Sequence, residues 1–173
     1  MFNGCGNSTQ PEANAVSAFN AWHEAGFDAS QLVLGIPSYG YVSDSKEDHL
    51  RTRHVAASRF FPPRAESVRV HAADGTQGQV SFRELVKQGA LEKNKEGYQS
   101  AGGFERHWDA CSGTPFLRSK EEEQMISYDD IESLEMKAKF VRDTGMLGVN
   151  MFSIDGDTDE WELTDAVRNA LAL

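Results

Sequence analysis

The sequence predicts an α/β fold in which two stretches of helix-and-strand grammar flank a polar middle of α+β character. Three observations carry this. First, Leu32-Val33-Leu34-Gly35-Ile36 and Gly148-Val149-Asn150-Met151-Phe152-Ser153-Ile154 are short, largely apolar runs without strict alternation. Such runs read as strands buried on both faces, as in a parallel sheet. Second, each run follows a segment with apolar residues at helical spacing. Third, residues 41–128 are polar and turn-rich, with Phe61-Pro62-Pro63 and Asp74-Gly75 as breakers.

Taken in order, Thr9 with Glu12 forms a capping box and Pro11 sits inside the first turn. Ala15, Val16, Phe19 and Trp22 recur at helical spacing and Gly26 stops them, so a helix is predicted over 10–25. The Leu32–Ile36 strand ends at Pro37. Within the middle, one short helix is expected over Ser81–Gln88. Short aromatic strands are expected at Phe104–Trp108, Pro115–Leu117 and Met125–Tyr128, with Glu121-Glu122-Glu123 as a solvated hairpin tip. Asp129 or Asp130 opens a helix carrying Ile131, Leu134, Ala138 and Val141, closed by Gly145. A last helix is expected after Thr164, with Ala166, Val167, Ala170 and Leu171 on one face.

Bulk properties exclude several classes. The 173 residues are 39% hydrophobic with ten Phe, enough for a real core. A formal charge of −10 argues against nucleic acid, because phosphate binding needs clustered Lys and Arg. No apolar run approaches the roughly 18 residues of a membrane helix, so no membrane partner is expected. The first six residues have neither the basic start nor the apolar run of a signal peptide. Cys5 and Cys111 match no zinc or redox spacing; two idle thiols and a disulfide both remain open. Asn7-Ser8-Thr9 fits the N-glycosylation pattern. The five histidines have no metal-ligand spacing, and His49, His54 and His71 lie in polar, solvated stretches. No cofactor or metal is implied.

Two parallel strands cannot close a barrel, and a (β/α)₈ barrel takes about 250 residues. Either this is a small domain, or most of a barrel is missing. Leu32-Val33-Leu34-Gly35-Ile36-Pro37-Ser38-Tyr39-Gly40 resembles the seventh-strand signature of family 18 glycoside hydrolases, the chitinases. Ser127-Tyr128-Asp129-Asp130-Ile131-Glu132-Ser133-Leu134, with Lys137, is similar to the segment entering their seventh helix. Gly148 to Asp155 resembles their eighth strand, and Trp108-Asp109 with Thr114-Pro115-Phe116-Leu117 fits the end of the α+β insertion that many members carry. The order and distances of these motifs extend the resemblance over nearly the whole chain, with a fungal texture.

The resemblance implies the C-terminal portion of a (β/α)₈ TIM barrel: residues 1–40 as helix 6 and strand 7, 41–128 as the α+β chitinase insertion domain, and 129–173 as helix 7, strand 8 and helix 8. It implies an extracellular protein whose partner is chitin or chitin oligosaccharides, and a missing N-terminal barrel half in the full-length chain. Such enzymes cleave β-1,4 links between N-acetylglucosamine units, with the substrate's acetamido group as nucleophile. Their general acid ends an Asp-x-x-Asp-x-Asp-x-Glu motif, which no segment here matches, so no catalytic residue is assigned. The alternative is a chitinase-like chitin-binding module without activity. Phe152, Asp155, Asp157 and Asp159 share the motif's spacing, with Phe for its first Asp and Asp for its Glu; they are expected to be a solvated acidic turn in which Asp157 or Asp159 caps the last helix.

The substrate-binding residues the resemblance implies are Tyr39, Phe152 and Trp108. Tyr39 matches a tyrosine that faces the substrate cleft. Phe152 stands where most members have a tryptophan flooring the subsite of the cleaved sugar; it keeps a flat apolar face but loses the indole N–H. Tyr41 stands where many have an arginine. Trp108 either lines the cleft wall or belongs to the core of a small sheet. The secretion implied by the resemblance permits a Cys5–Cys111 disulfide, which is expected to form.

Overall fold

A computed structural model of the chain describes residues 1, 4–6, 13–47, 50, 67–72, 78–95 and 97–173. The expectations for Asn7-Ser8-Thr9, Pro11, Glu12, His49, His54, Phe61-Pro62-Pro63 and Asp74-Gly75 lie outside them. The fold is α/β, with helices packed on a small parallel sheet beside a larger antiparallel one.

Helix α1 spans Ala15–Glu24, opened by Asn14, whose side chain accepts from the Ser17 amide at 3.0 Å. No residue of α1 is buried, and Trp22 is 55% exposed. Its Phe19 ring meets Phe140 edge-on at 5.6 Å, and its Val16 amide donates to the Met1 carbonyl at 3.4 Å.

Strand β1 (Val33–Pro37) ends against Ser38, and β2 (Tyr39–Asp44) follows at once. The next elements are β3 (Gln79–Ser81), α2 (Phe82–Lys87), β4 (Leu91–Asn94), β5 (Gly97–Ser100), β6 (Glu105–Asp109), β7 (Thr114–Ser119) and β8 (Gln124–Ser127). Helix α3 (Ile131–Thr144), β9 (Gly148–Phe152), a short 3-10 turn (Ile154–Gly156) and α4 (Glu162–Leu171) complete the chain. Ser81 caps α2 by accepting from the Glu84 amide at 3.1 Å. Asp130 caps α3 in the same way through the Ser133 amide at 3.0 Å. Gly145 ends α3 at φ 72°, a left-handed conformation suited to glycine.

β1 and β9 pair in parallel, from Val33 opposite Gly148 to Pro37 opposite Phe152. One face of this pair, with Leu34, Ile36, Val149 and Met151, packs on α3 and α4 through Leu134, Ala138, Leu163 and Val167. The other face is open: Val33 is 48% and Phe152 69% exposed. The strands are read as buried on both faces within a complete barrel; these residues supply the cover of one face, through α3 and α4. The second strand is also shorter than its apolar run, because the chain turns into the 3-10 segment after Phe152.

The larger sheet has the order β3-β2-β8-β7-β6 and is antiparallel throughout. Val80, Leu117 and Ile126 join Phe82 and Leu85 of α2 in its core. The β4–β5 hairpin had no counterpart in the sequence reading. Lys93 ties it to the start of α4, lying 2.8 Å from Glu162 and pairing with Glu160. Cys5 and Cys111 form a disulfide with their Cα atoms 5.1 Å apart. It fastens the N-terminal residues to the β6–β7 turn, where the Met1 ammonium donates to the Ser112 carbonyl at 2.5 Å.

Candidate functional site

Ser38, 1% exposed, is the residue at which the chain leaves the parallel pair and enters the antiparallel sheet. All its polar groups are used in the transfer. Its amide donates to the Phe152 carbonyl at 3.1 Å, its hydroxyl donates to the Ser153 carbonyl, and its carbonyl accepts from the Phe82 amide at 2.9 Å. The ends of β1 and β9 and the start of α2 are thereby joined at one point.

This junction brings Tyr39 and Phe152 together. Their ring centroids are 6.5 Å apart at an interplanar angle of 85°, the edge-to-face arrangement that aromatic quadrupoles favour. Tyr41 meets Tyr39 in the same manner at 5.7 Å, and Gln79 donates to the Tyr41 hydroxyl at 3.0 Å. Burial, then the adjacent Tyr41 hydroxyl, raises the Tyr39 phenol above its ordinary pKa. Tyr39 thus stays a neutral donor at physiological pH.

Beside these rings opens a cavity of about 430 Å³. One wall comes from β9 and the turn after it, with Phe152, Ser153 and Asp155; the other comes from β3 and α2, with Gln79 and Glu84. Flat apolar rings beside hydroxyl, amide and carboxylate groups suit a ligand with apolar faces and polar edges. Among the described residues, no three His, Cys, Asp or Glu side chains are grouped to hold a metal ion.

The acidic run after β9 has structural work. Asp157 is completely buried, contrary to the expected solvated turn. Its carboxylate accepts from the amides of Thr158, Leu163 and Thr164 at 2.7, 3.1 and 2.8 Å, and from the Thr164 hydroxyl at 2.7 Å. It therefore caps α4 from four residues upstream of Trp161, which corrects the helix start from after Thr164 to Glu162. Asp159 is exposed and pairs with Arg83. Arg83 also donates through Nε to the carbonyls of Asp155 and Asp157, at 3.1 and 2.9 Å.

Trp108 is not brought to this corner. The ladder places Tyr41, Ser127, Phe116 and His107 opposite one another on one sheet face. Tyr39 shares that face, being two residues from Tyr41. Trp108, paired with Pro115, lies on the other face of edge strand β6, with Arg106 stacked 5.4 Å from its ring centre.

Sequence reasoning missed Ser38, Gln79 and Arg83. Ser38 lies inside a quoted motif but carries no signal of its own, and the acceptors of Arg83 are largely backbone carbonyls far along the chain. His71 is exposed, as its polar surroundings suggested.

The sequence matches the model of glycosyl hydrolases family 18 over residues 2–157. A chitinase-like effector of Moniliophthora roreri is 29% identical over 180 residues, covering 95% of this chain and 43% of its own. Chitinase A1 of Niallia circulans is 27% identical, over 87% of this chain and 19% of its own. The crystal structure of a Rhizomucor miehei chitinase superposes with a TM-score of 0.65 at 27% identity, covering 90% of this chain and 43% of that one. The chain spans less than half the length of each of these relatives. It belongs to glycosyl hydrolases family 18.

Proposed function

We propose that these residues are the C-terminal portion of an extracellular chitinase barrel, and that Tyr39 and Phe152 hold N-acetylglucosamine units of a chitin oligosaccharide. In this reading β1 and β9 are the seventh and eighth strands of a (β/α)₈ barrel, α1, α3 and α4 its last three helices, and residues 41–128 the inserted α+β unit. The observation that carries it is the convergence of Tyr39 and Phe152 at the C-terminal ends of two parallel neighbours. Barrel chemistry sits at those strand ends. The Cys5–Cys111 disulfide agrees with an oxidising, extracellular setting.

Within these 173 residues no general acid is assigned. The Asp-x-x-Asp-x-Asp-x-Glu motif is absent, and the cluster that shares its spacing is occupied in capping α4 and pairing with Arg83. Cleavage therefore belongs to a complete barrel, and these residues contribute part of the sugar-binding wall. A second reading, a chitinase-like module that binds chitin without cleaving it, is favoured by Phe152 standing in place of a tryptophan.

Calorimetric titration of the chain with the tetrasaccharide of N-acetylglucosamine tests the proposal. Phe152→Ala and Tyr39→Ala each weaken binding by about fivefold or more, the order of one aromatic contact. Trp108→Ala, on the far sheet face, leaves the affinity unchanged. Equal binding by all four proteins, or none by the parent, would defeat the assignment of the site.

A further inference from the structure

We propose that Arg83 is a positioning residue that sets the width of the cavity between the α2 wall and the Phe152 wall. The inference rests on the sugar-binding reading of Tyr39 and Phe152 for its ligand, and on geometry alone for the device.

The two walls belong to different sheets. Tyr39, Gln79 and Glu84 stand on or beside the antiparallel sheet; Phe152, Ser153 and Asp155 stand at the end of β9. At the base, Ser38 joins them through the bonds already described. Across the rim Arg83 makes a polar connection. From the first turn of α2 its Nε donates to the Asp155 and Asp157 carbonyls at 3.1 and 2.9 Å, and its Nη1 pairs with Asp159.

A guanidinium suits this role because it is planar and presents several N–H groups in a fixed fork. Its one Nε–H is shared between the Asp155 and Asp157 carbonyls and its Nη1 reaches the Asp159 carboxylate, so acceptors on three alternate residues of the turn are held by one rigid group. The turn also owes its shape to Asp157, whose carboxylate faces α4 while its carbonyl faces Arg83. Arg83 thus grips a segment already stiffened from the other side, and motion of α2 is passed to the residues immediately after Phe152. Asp159 is 88% exposed at its side chain; an ion pair so open to water is weak. The carbonyl contacts therefore carry the positioning.

Arg83→Gln and Arg83→Lys keep a polar side chain but cannot span all three acceptors. Asp159→Asn leaves both carbonyl contacts in place. Hydrogen–deuterium exchange on the ligand-free chain is expected to rise over residues 153–157 at least threefold in both Arg83 variants and to stay near the parent rate in Asp159→Asn, with β7 and β8 unchanged. In titration with the tetrasaccharide of N-acetylglucosamine, Arg83→Gln should weaken binding by about three- to tenfold. The loss should vanish when Arg83→Gln is made in a Phe152→Ala background, because the ring it positions is gone. A residue that merely stabilised the fold would not show that dependence. Unchanged exchange over 153–157 in Arg83→Gln overturns the inference whatever the ligand does. An equal affinity loss in both backgrounds overturns it too. Failure of the parent chain to bind the sugar counts against the proposed function, while the exchange measurement still decides the role of Arg83.

Discussion

Ser38 and Gly156 touch so closely that a methyl group on Gly156 would lie 2.3 Å from the Ser38 hydroxyl oxygen and 3.0 Å from its carbonyl. The neighbour cannot move aside, because the hydroxyl is bonded to the Ser153 carbonyl and the Ser38 carbonyl to the Phe82 amide. Gly156→Ala is therefore expected to cost about 1–3 kcal/mol, in the range of overpacked cores. Thermal unfolding should show a lower midpoint for Gly156→Ala. Ser38→Ala/Gly156→Ala should recover only part of it, since the backbone contact remains.

Asp157 bears on stability far more than its acidic neighbours. It is fully buried and its two oxygens accept four hydrogen bonds, three of them from backbone amides. Asp157→Ala strands those donors and is expected to cost about 3 kcal/mol or more. Asp157→Asn, which retains one acceptor oxygen, should cost less. Asp159→Asn should change stability by under about 0.5 kcal/mol, as an exposed pair does. Urea unfolding of the three variants gives the order directly.

Stability should fall in acid through Glu162. Burial works against its charged form, but hydrogen bonds from Lys93 and Tyr98 outweigh that and hold its carboxyl below the usual range. A carboxyl whose folded pKa is depressed contributes stability above its unfolded pKa, near 4.3, and loses that contribution as pH falls through the folded value. Midpoints measured from pH 6 to pH 2 should therefore drop below about pH 4.3, and Glu162→Gln should drop less steeply. Parallel curves for the two proteins would count against this.

Reducing the Cys5–Cys111 bridge opens a loop with a sequence separation of 106. Chain entropy alone places such a cross-link at up to about 5 kcal/mol, and native bridges more often give about 2–4. Cys5→Ser/Cys111→Ser should melt lower than the oxidised chain and match the chain treated with dithiothreitol.

The 173 residues alone should not hydrolyse chitin oligosaccharides. General acid catalysis is worth about a hundredfold to ten-thousandfold, and these residues hold no glutamate in the matching motif. Product analysis after long incubation with the tetrasaccharide should show no shorter sugars. Hydrolysis that disappeared in Asp159→Asn would reinstate the acidic cluster as catalytic.

How much of this was legible in the residues depended on where each signal was local. Leu32–Ile36 stands out because four of its five residues are large and apolar, and the short helix read over Ser81–Gln88 is α2, with Ser81 as its cap and not its first residue. Asp157 was among the two carboxylates expected to cap α4, but the start of the helix was placed after Thr164 instead of at Glu162, because the capping side chain reaches forward over a turn to amides six and seven residues away. The β4–β5 hairpin is charged and reads as loop; Leu91 in the core and Lys93 on α4 hold it, both at long range. Tyr39 came from the strand motif. Its neighbour across 6.5 Å followed from the family order of the two strands. The face occupied by Trp108 depends on the β6–β7 register, set by a turn at Asp109–Gly113 whose geometry leaves little trace in sequence.

The passage from one sheet to the other through a single residue makes this corner intolerant of length change. Strand side chains alternate, so adding or removing one residue between Pro37 and Tyr39 would turn Tyr39 to the opposite face of its sheet. Tyr41 would turn with it, and Tyr39 would lose its contact with Phe152. The same slip would carry a side chain into the place of Gly40, where a Cβ would lie 2.3 Å from the Ser127 carbonyl oxygen, so one codon gained or lost here would cost the larger sheet its register along with the aromatic corner.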